Sequence, residues 1–205
     1  MHKNIVKMFA IAVAGLVASD ALAAYITYET RHTNNGVNTS DYLASWNQQT
    51  STVNTSSLPN FNSRRVGSRN SHSHLQVEFT TNLIQDLVFE FAPDAGLGGA
   101  IYVNNDLVQR RAADLWWGYN WNRTNEILSS NGTDFSMGTN VIDLYWAERC
   151  CDGRQSGRFS LNGGQDWMSL SVANLASMPV PEPGILVLIA GGMVGLGLAR
   201  RRKNA

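Results

Sequence analysis

From Ser73 onward, apolar and polar residues alternate with a period of two. Leu75, Val77 and Phe79 are separated by polar residues, and Leu87, Phe89 and Phe91 repeat the pattern around Val88 and Glu90. Each set places its apolar side chains on one face of an extended strand. The same period returns in residues 139–147, where Ile142, Leu144 and Trp146 share a face. Two hairpins are predicted between these runs. One joins Ile101-Tyr102-Val103 to residues 106–109 through Asn104-Asn105, and the other joins residues 158–161 to residues 167–172 through Asn162-Gly163-Gly164. Both connections carry residues that tolerate left-handed turn geometry. Helical periodicity is scarce, so the pattern predicts an all-β fold, an antiparallel β-sandwich of jelly-roll type with about seven or eight strands.

The segment before this domain is more polar. Residues 24–72 open with a short strand, Tyr25-Ile26-Thr27-Tyr28, and then become rich in Asn, Ser and Thr. Ser40 suits the N-cap of a short helix running through Leu43 and Trp46. Residues 50–69 show little periodicity and much turn chemistry, and read as loop.

The two ends are hydrophobic for different reasons. Met1–Ala23 has a basic start at Lys3 and Lys7, an apolar stretch from Met8 to Val17, and small residues at Ala21 and Ala23, the pattern that signal peptidase requires. The mature chain is expected to begin at Ala24. At the other end Val180-Pro181-Glu182-Pro183-Gly184 leads into an uncharged run from Ile185 to Ala199, which stops at Arg200-Arg201-Arg202-Lys203. Two prolines around a glutamate exclude helix interior and leave the segment extended. The apolar run can insert in a bilayer as one short transmembrane helix, and the cations hold its end on the cytoplasmic side. The chain therefore divides into a signal peptide (1–23), a polar N-terminal segment (24–72), a β-sandwich (73–178) and a C-terminal signal (179–205).

This C-terminal order of short motif, single span and basic tail resembles the PEP-CTERM sorting signal of bacterial exosortase substrates. The resemblance implies a Gram-negative envelope. It also implies export through the inner membrane, transient anchoring there, cleavage by exosortase near Pro181–Gly184, and an association with exopolysaccharide at the cell surface or in the extracellular matrix.

Charge sharpens the picture. The whole chain holds 16 basic and 16 acidic residues, but Lys3, Lys7, Arg200, Arg201, Arg202 and Lys203 lie in the two terminal segments. The intervening domain has no lysine and is mildly acidic, which argues against a nucleic-acid partner.

Four groups carry candidate chemistry. Trp116-Trp117-Gly118-Tyr119-Asn120-Trp121-Asn122 mixes flat aromatic faces with amides, the combination that the apolar C–H faces and the hydroxyls of a sugar need. Tryptophan also fills sandwich cores. If this stretch is extended, Trp116 and Trp117 point to opposite faces and one of them is core. Cys150 and Cys151 are the only cysteines and sit in Cys150-Cys151-Asp152-Gly153, similar to the CCXG group of PEP-CTERM proteins. In an exported setting they pair with each other or with another chain, and a ring between neighbours either stiffens the turn or offers a rigid surface to a sugar. Asp94, Asp106, Asp114, Asp134 and Asp152 occur near turns. Calcium is the one metal they suit, although aspartate favours turns without metal, and no cofactor is otherwise expected. His72 and His74 have the spacing of a zinc or copper pair with His32 as a third ligand, or else are solvated loop residues.

Residues 75–172 also resemble, weakly, the β-sandwich of anthrax protective antigen and the yeast flocculins, through Val88–Gly96, Ile101–Asn105 and Gly138–Trp146. In that family an aspartate pair before glycine holds calcium over a sugar. This chain has Asp94-Ala95-Gly96, so the second aspartate is absent. The candidate glycan contacts are Trp116, Trp117, Tyr119 and Trp121 by their aromatic chemistry, with Asp94 in the loop that the resemblance marks and Asp152 beside the cysteines. No nucleophile elbow, zinc-protease motif or phosphate loop is present, and Glu126, Glu148 and several aspartates are the carboxylates available to a glycosidase pair. The sequence therefore reads as a non-catalytic, exopolysaccharide-associated surface protein. A glycan-binding adhesin comes second and a polysaccharide-processing enzyme third.

Overall fold

Alternating apolar segments become paired strands wherever two of them can bury their apolar faces together. The computed structural model describes residues 24–65, 69–82, 86–150 and 153–179. All lie in one unit, Leu22–Pro181. The signal peptide up to Ala23, and the sorting residues from Val180 through Lys203, lie outside the described residues.

The chain begins with β1 (Tyr25–His32), α1 (Tyr42–Asn47), β2 (Asn54–Ser57), β3 (Ser71–Thr81) and β4 (Val88–Ala92). Two short strands and a hairpin follow: β5 (Asp94–Ala95), β6 (Gly99–Val103), β7 (Asp106–Arg111) and β8 (Leu115–Trp116). It closes with β9 (Leu128–Ser129), β10 (Gly138–Glu148), β11 (Ser156–Ser160), β12 (Met168–Ser169) and α2 (Val172–Ala176). The strands form a six-stranded sheet in the order β2-β1-β3-β10-β6-β7, a four-stranded sheet in the order β12-β11-β4-β9, and a two-stranded β5-β8 ribbon. Every pairing is antiparallel.

The predicted antiparallel β-sandwich is the fold observed. Leu75, Val77 and Phe79 of β3 and Ile142, Leu144 and Trp146 of β10 point inward and meet Phe89, Phe91 and Phe159 of the smaller sheet. All nine are within 1 % of complete burial. The predicted hairpins form as well. Asn104 and Asn105 adopt φ of +51° and +74° between β6 and β7, and Gly163 and Gly164 adopt +68° and +87° between β11 and β12.

Three details differ from the pattern. Asp41, one residue after Ser40, caps α1 by accepting a hydrogen bond from Ala44 N at 2.9 Å. Residues 54–57, read as loop, add an edge strand to β1 although all four side chains are exposed. With no buried face, such a strand leaves no periodicity to detect. The polar segment 24–72 is also structurally part of the sandwich, since β1 pairs with β3 along its whole length.

The histidines also differ from the pattern. His72 and His74 lie inside β3, on the outer face of the large sheet beneath α1, and not on a solvated loop. Helix α1 covers them with Tyr42 and Trp46, whose rings approach His72 at 6.4 and 5.6 Å. His74 stacks on Tyr145 at 4.3 Å and is held by Glu29 at 3.0 Å and Asp143 at 2.7 Å. The metal-pair expectation fails here because both nitrogens of His74 are already engaged by carboxylates. Exposed His32 pairs with Ser71 at the end of β1, on the face of the sheet opposite His72 and His74, and the described residues contain no group of three side chains suited to a metal.

His72 is completely buried, and neither ring nitrogen has a hydrogen-bond partner. Burial, helped by the Arg31 and His74 charges, lowers its pKa from 6.5 to about 4. The unfolded chain therefore binds a proton that the folded chain refuses. The stability linked to His72 is complete above pH 6.5 and is lost as pH falls from 6.5 towards about 4. At roughly 1.4 kcal/mol per pKa unit, the loss is ~3 kcal/mol. Urea unfolding at pH 7.5 and pH 4.5 is expected to show a smaller loss of stability on acidification for His72→Leu than for the unaltered chain.

Candidate functional site

Strand β4 ends at Pro93, which offers no backbone donor to continue the ladder. The chain then turns outward into β5, which pairs with β8 so that Asp94 lies opposite Trp116 and Ala95 opposite Leu115. The ribbon brings the Asp94–Gly96 segment, the tryptophan-rich segment and the cysteine segment after β10 around one open pocket of about 450 Å³. Asp94, Gly96, Asp114, Trp116, Tyr119, Glu148, Cys150 and Gly153 line it.

Two carboxylates build the frame. Glu148, 6 % exposed at the end of β10, accepts from Arg149 N at 2.6 Å and Cys150 N at 2.8 Å through Oε1, and from Gly96 N at 2.9 Å through Oε2. Asp94, 8 % exposed, accepts from Gly153 N through Oδ2. One carboxylate thus ties the β5 turn to the start of the cysteine loop, and the other ties β5 to the end of that loop. Close approach requires glycine at both contacts. A Cβ on Gly96 would stand 2.7 Å from Glu148 Oε1, and one on Gly153 would collide with the Asp94 carboxylate.

The aromatic wall is held from behind. Trp116 N donates to Glu126 Oε2 at 3.0 Å, and Arg123 Nη1 reaches Trp116 O at 3.4 Å, with its guanidinium 5.6 Å from the ring. The Trp116 side chain is left half exposed. Gly118 and Tyr119 take φ of +59° and +60°, a left-handed pair that swings Tyr119 into the pocket rim at 57 % exposure. Trp117 points the other way. It is buried against Ala92 and Ile127, and its Nε1 donates to Arg154 O at 2.7 Å.

Of the sequence candidates, the structure gathers Asp94, Asp114, Trp116, Tyr119 and Glu148 around the pocket, together with exposed Cys150. Trp117 is corrected from a ligand contact to a core residue that anchors the aromatic segment. Trp121 is not in this pocket. It is half-buried, 5.0 Å from Trp117 and over Arg158. Asp152 and Cys151 lie outside the described residues, and so does any Cys150–Cys151 ring. Calcium finds no prepared donor set among the described residues, since Asp94 and Glu148 direct oxygens at backbone N–H groups. Sequence reasoning missed Glu148 as a clamp. Its partners Gly96, Arg149 and Cys150 become informative only once β10 delivers it beside β5.

Fold and site together define an antiparallel β-sandwich carrying an open aromatic and acidic pocket at the β5-β8 ribbon. Residues 179–203 match the PEP-CTERM protein-sorting motif. The chain accordingly carries the signal of an exosortase-targeted exported protein, which implies transient membrane anchoring before processing. No helix among the described residues is long and apolar enough to cross a membrane. The chain is similar to the PA14 domain of MpAFP antifreeze protein, at 15 % identity and TM-score 0.46, over 78 % of this chain and 92 % of that one. It is similar to a PA14 sugar-binding domain from an RTX adhesin, at 11 % identity and TM-score 0.48, over 74 % of this chain and 97 % of that one. An anti-sigma factor domain-containing protein matches at 11 % identity and TM-score 0.46, over 79 % of this chain and 50 % of that one. No curated protein matches the chain.

Replacing Glu148 with alanine strands three backbone donors at the pocket floor. An unsatisfied buried group costs ~1–3 kcal/mol, and the outer donors can recruit water. Glu148→Ala is expected to lower unfolding free energy by about 2–4 kcal/mol and to speed amide exchange at Gly96 and Cys150. Chemical denaturation and hydrogen exchange measure the two effects.

Proposed function

We propose that this is a non-catalytic, carbohydrate-binding surface or matrix protein, carried out of the cell by its sorting signal and associated with exopolysaccharide. Trp116 and Tyr119 carry this reading. They are two of the large apolar side chains left more than half or about half exposed, and both rim a pocket that also holds buried, fixed carboxylates. Indole and phenol faces suit the C–H faces of a pyranose, and the exposed Asp114 carboxylate on the same lining suits its hydroxyls. The mildly acidic, lysine-free domain suits a hydrated polysaccharide better than a phosphate-bearing polymer. A processing role has less support. Glu148 is engaged by three backbone donors, and Glu126 is held by Trp116 N and by Asn125 Nδ2 at 2.7 Å, which commits both carboxylates to structure.

Binding is tested by titrating the purified full chain with exopolysaccharide from the source cells in a calorimeter. Trp116→Ala and Tyr119→Ala are each expected to weaken binding about tenfold, the loss of roughly 1–1.5 kcal/mol of aromatic contact, while melting temperature changes little. Unchanged affinity in both variants would defeat the pocket as the binding site.

Handling is tested separately by intact mass spectrometry of protein recovered from the cell surface and medium. The expected species begins at Ala24 and ends near Pro181–Gly184, after the action of signal peptidase and exosortase. It gains two hydrogens on reduction if Cys150 and Cys151 form one internal disulfide. Replacing Pro181 and Glu182 together by alanine is expected to leave a membrane-bound species that keeps Arg200–Lys203. Release and trimming of that variant as before would defeat the exosortase reading.

A further inference from the structure

The outer face of the four-stranded sheet carries a second arrangement that the pocket does not use. Glu90 and Arg158 are direct cross-strand neighbours on β4 and β11, so their side chains emerge side by side. Arg158 donates to Glu90 Oε2 from Nε at 2.8 Å and from Nη2 at 2.6 Å. The same guanidinium lies 4.3 Å from the Trp121 ring and 3.9 Å from the Trp167 ring, held between two indoles. Gly164 gives Trp167 its place, because a Cβ there would press within 3.2 Å of Cζ2. A hollow of about 210 Å³ opens here, with Asn62 and Ser169 beside the rings.

This stack is more than a surface ion pair. Glu90 offsets the arginine charge, so the hollow has no strong preference for an anion, while Nη1 donates to no group among the described residues. Two fixed, partly buried indoles beside amide, hydroxyl and guanidinium donors suit the same chemistry as the first pocket. The two places are also joined. Tyr119 on the first rim contacts Trp117 at 5.5 Å, Trp117 contacts Trp121 at 5.0 Å, and Trp121 leads through Arg158 to Trp167.

We propose that the hollow around Trp121, Arg158 and Trp167 is a second sugar subsite, and that the protein grips an extended polysaccharide chain across the outer face of the four-stranded sheet. This rests on the carbohydrate reading of the first pocket. A ligand long enough to reach both places gains from the second contact because the first has already brought it near.

The test uses exopolysaccharide from the source cells, partly hydrolysed and fractionated by length, titrated against the full chain. Long fragments are expected to bind at least about tenfold more tightly than disaccharides. Trp167→Ala is expected to bring the affinity of long fragments down towards that of short ones, whereas Trp116→Ala weakens both. Arg158→Lys keeps a cation for Glu90 but loses the planar stack, and is expected to act as Trp167→Ala does. Affinity that does not rise with length, or a rise that survives Trp167→Ala and Arg158→Lys, overturns the second subsite and leaves the first pocket standing. Failure of every fraction to bind overturns both.

Discussion

The pairing of β3 with β10 over eleven residues each is the constraint on which the rest of the structure depends. In a sheet, a slip of one residue sends every side chain to the opposite face. A one-residue slip of β3 against β10 would expose Leu75, Val77 and Phe79 and would drive Gln76 and Glu78 into the aromatic core. The register also fixes what lies behind the sheet. His74 falls beside Asp143 and stacks on its cross-strand partner Tyr145, and helix α1 lands on that surface with Trp46.

The same register delivers Glu148 to the end of the sheet, where it meets the turn leaving β5. Carboxylates at this end therefore position loops, and the exposed aromatics face solvent. That division of labour explains how an irregular region can hold a defined shape. Backbone donors with no ladder to join are taken up by Glu148 and Asp94, and Trp117 pins the aromatic segment through one buried N–H. The left-handed backbone at Gly118 and Tyr119 then turns the phenol outward. A sugar polymer arriving at this end would meet rings whose orientation is set before binding, which lowers the entropic cost of association.

The Arg158 stack shows how strand neighbours prepare a surface. Glu90 and Arg158 meet because β4 and β11 pair, and the tight turn at Gly163-Gly164 returns Trp167 over the same guanidinium. Cation, carboxylate and indoles restrain one another, so the outer face of the small sheet is ordered although it is partly open to water.

The sequence by itself determined the sheet class, the long strands, both hairpins and the sorting signal. These depend on neighbours along the chain: a period of two, turn residues that accept positive φ, and a motif followed by an apolar run and cations. It also marked Trp116, Tyr119 and Asp94 by residue type. It did not show that edge strand β2 exists, because an edge with four exposed polar side chains has no hydrophobic period. It did not separate Trp117 from Trp116, show that His72 is buried without a partner, or place Trp121 beside Trp167. The tertiary structure alone decided these points, together with the Glu148 clamp. Each depends on which distant segment supplies the neighbour, and a contact 37 residues away for Trp117 or 52 for Glu148 leaves no local trace in composition or spacing.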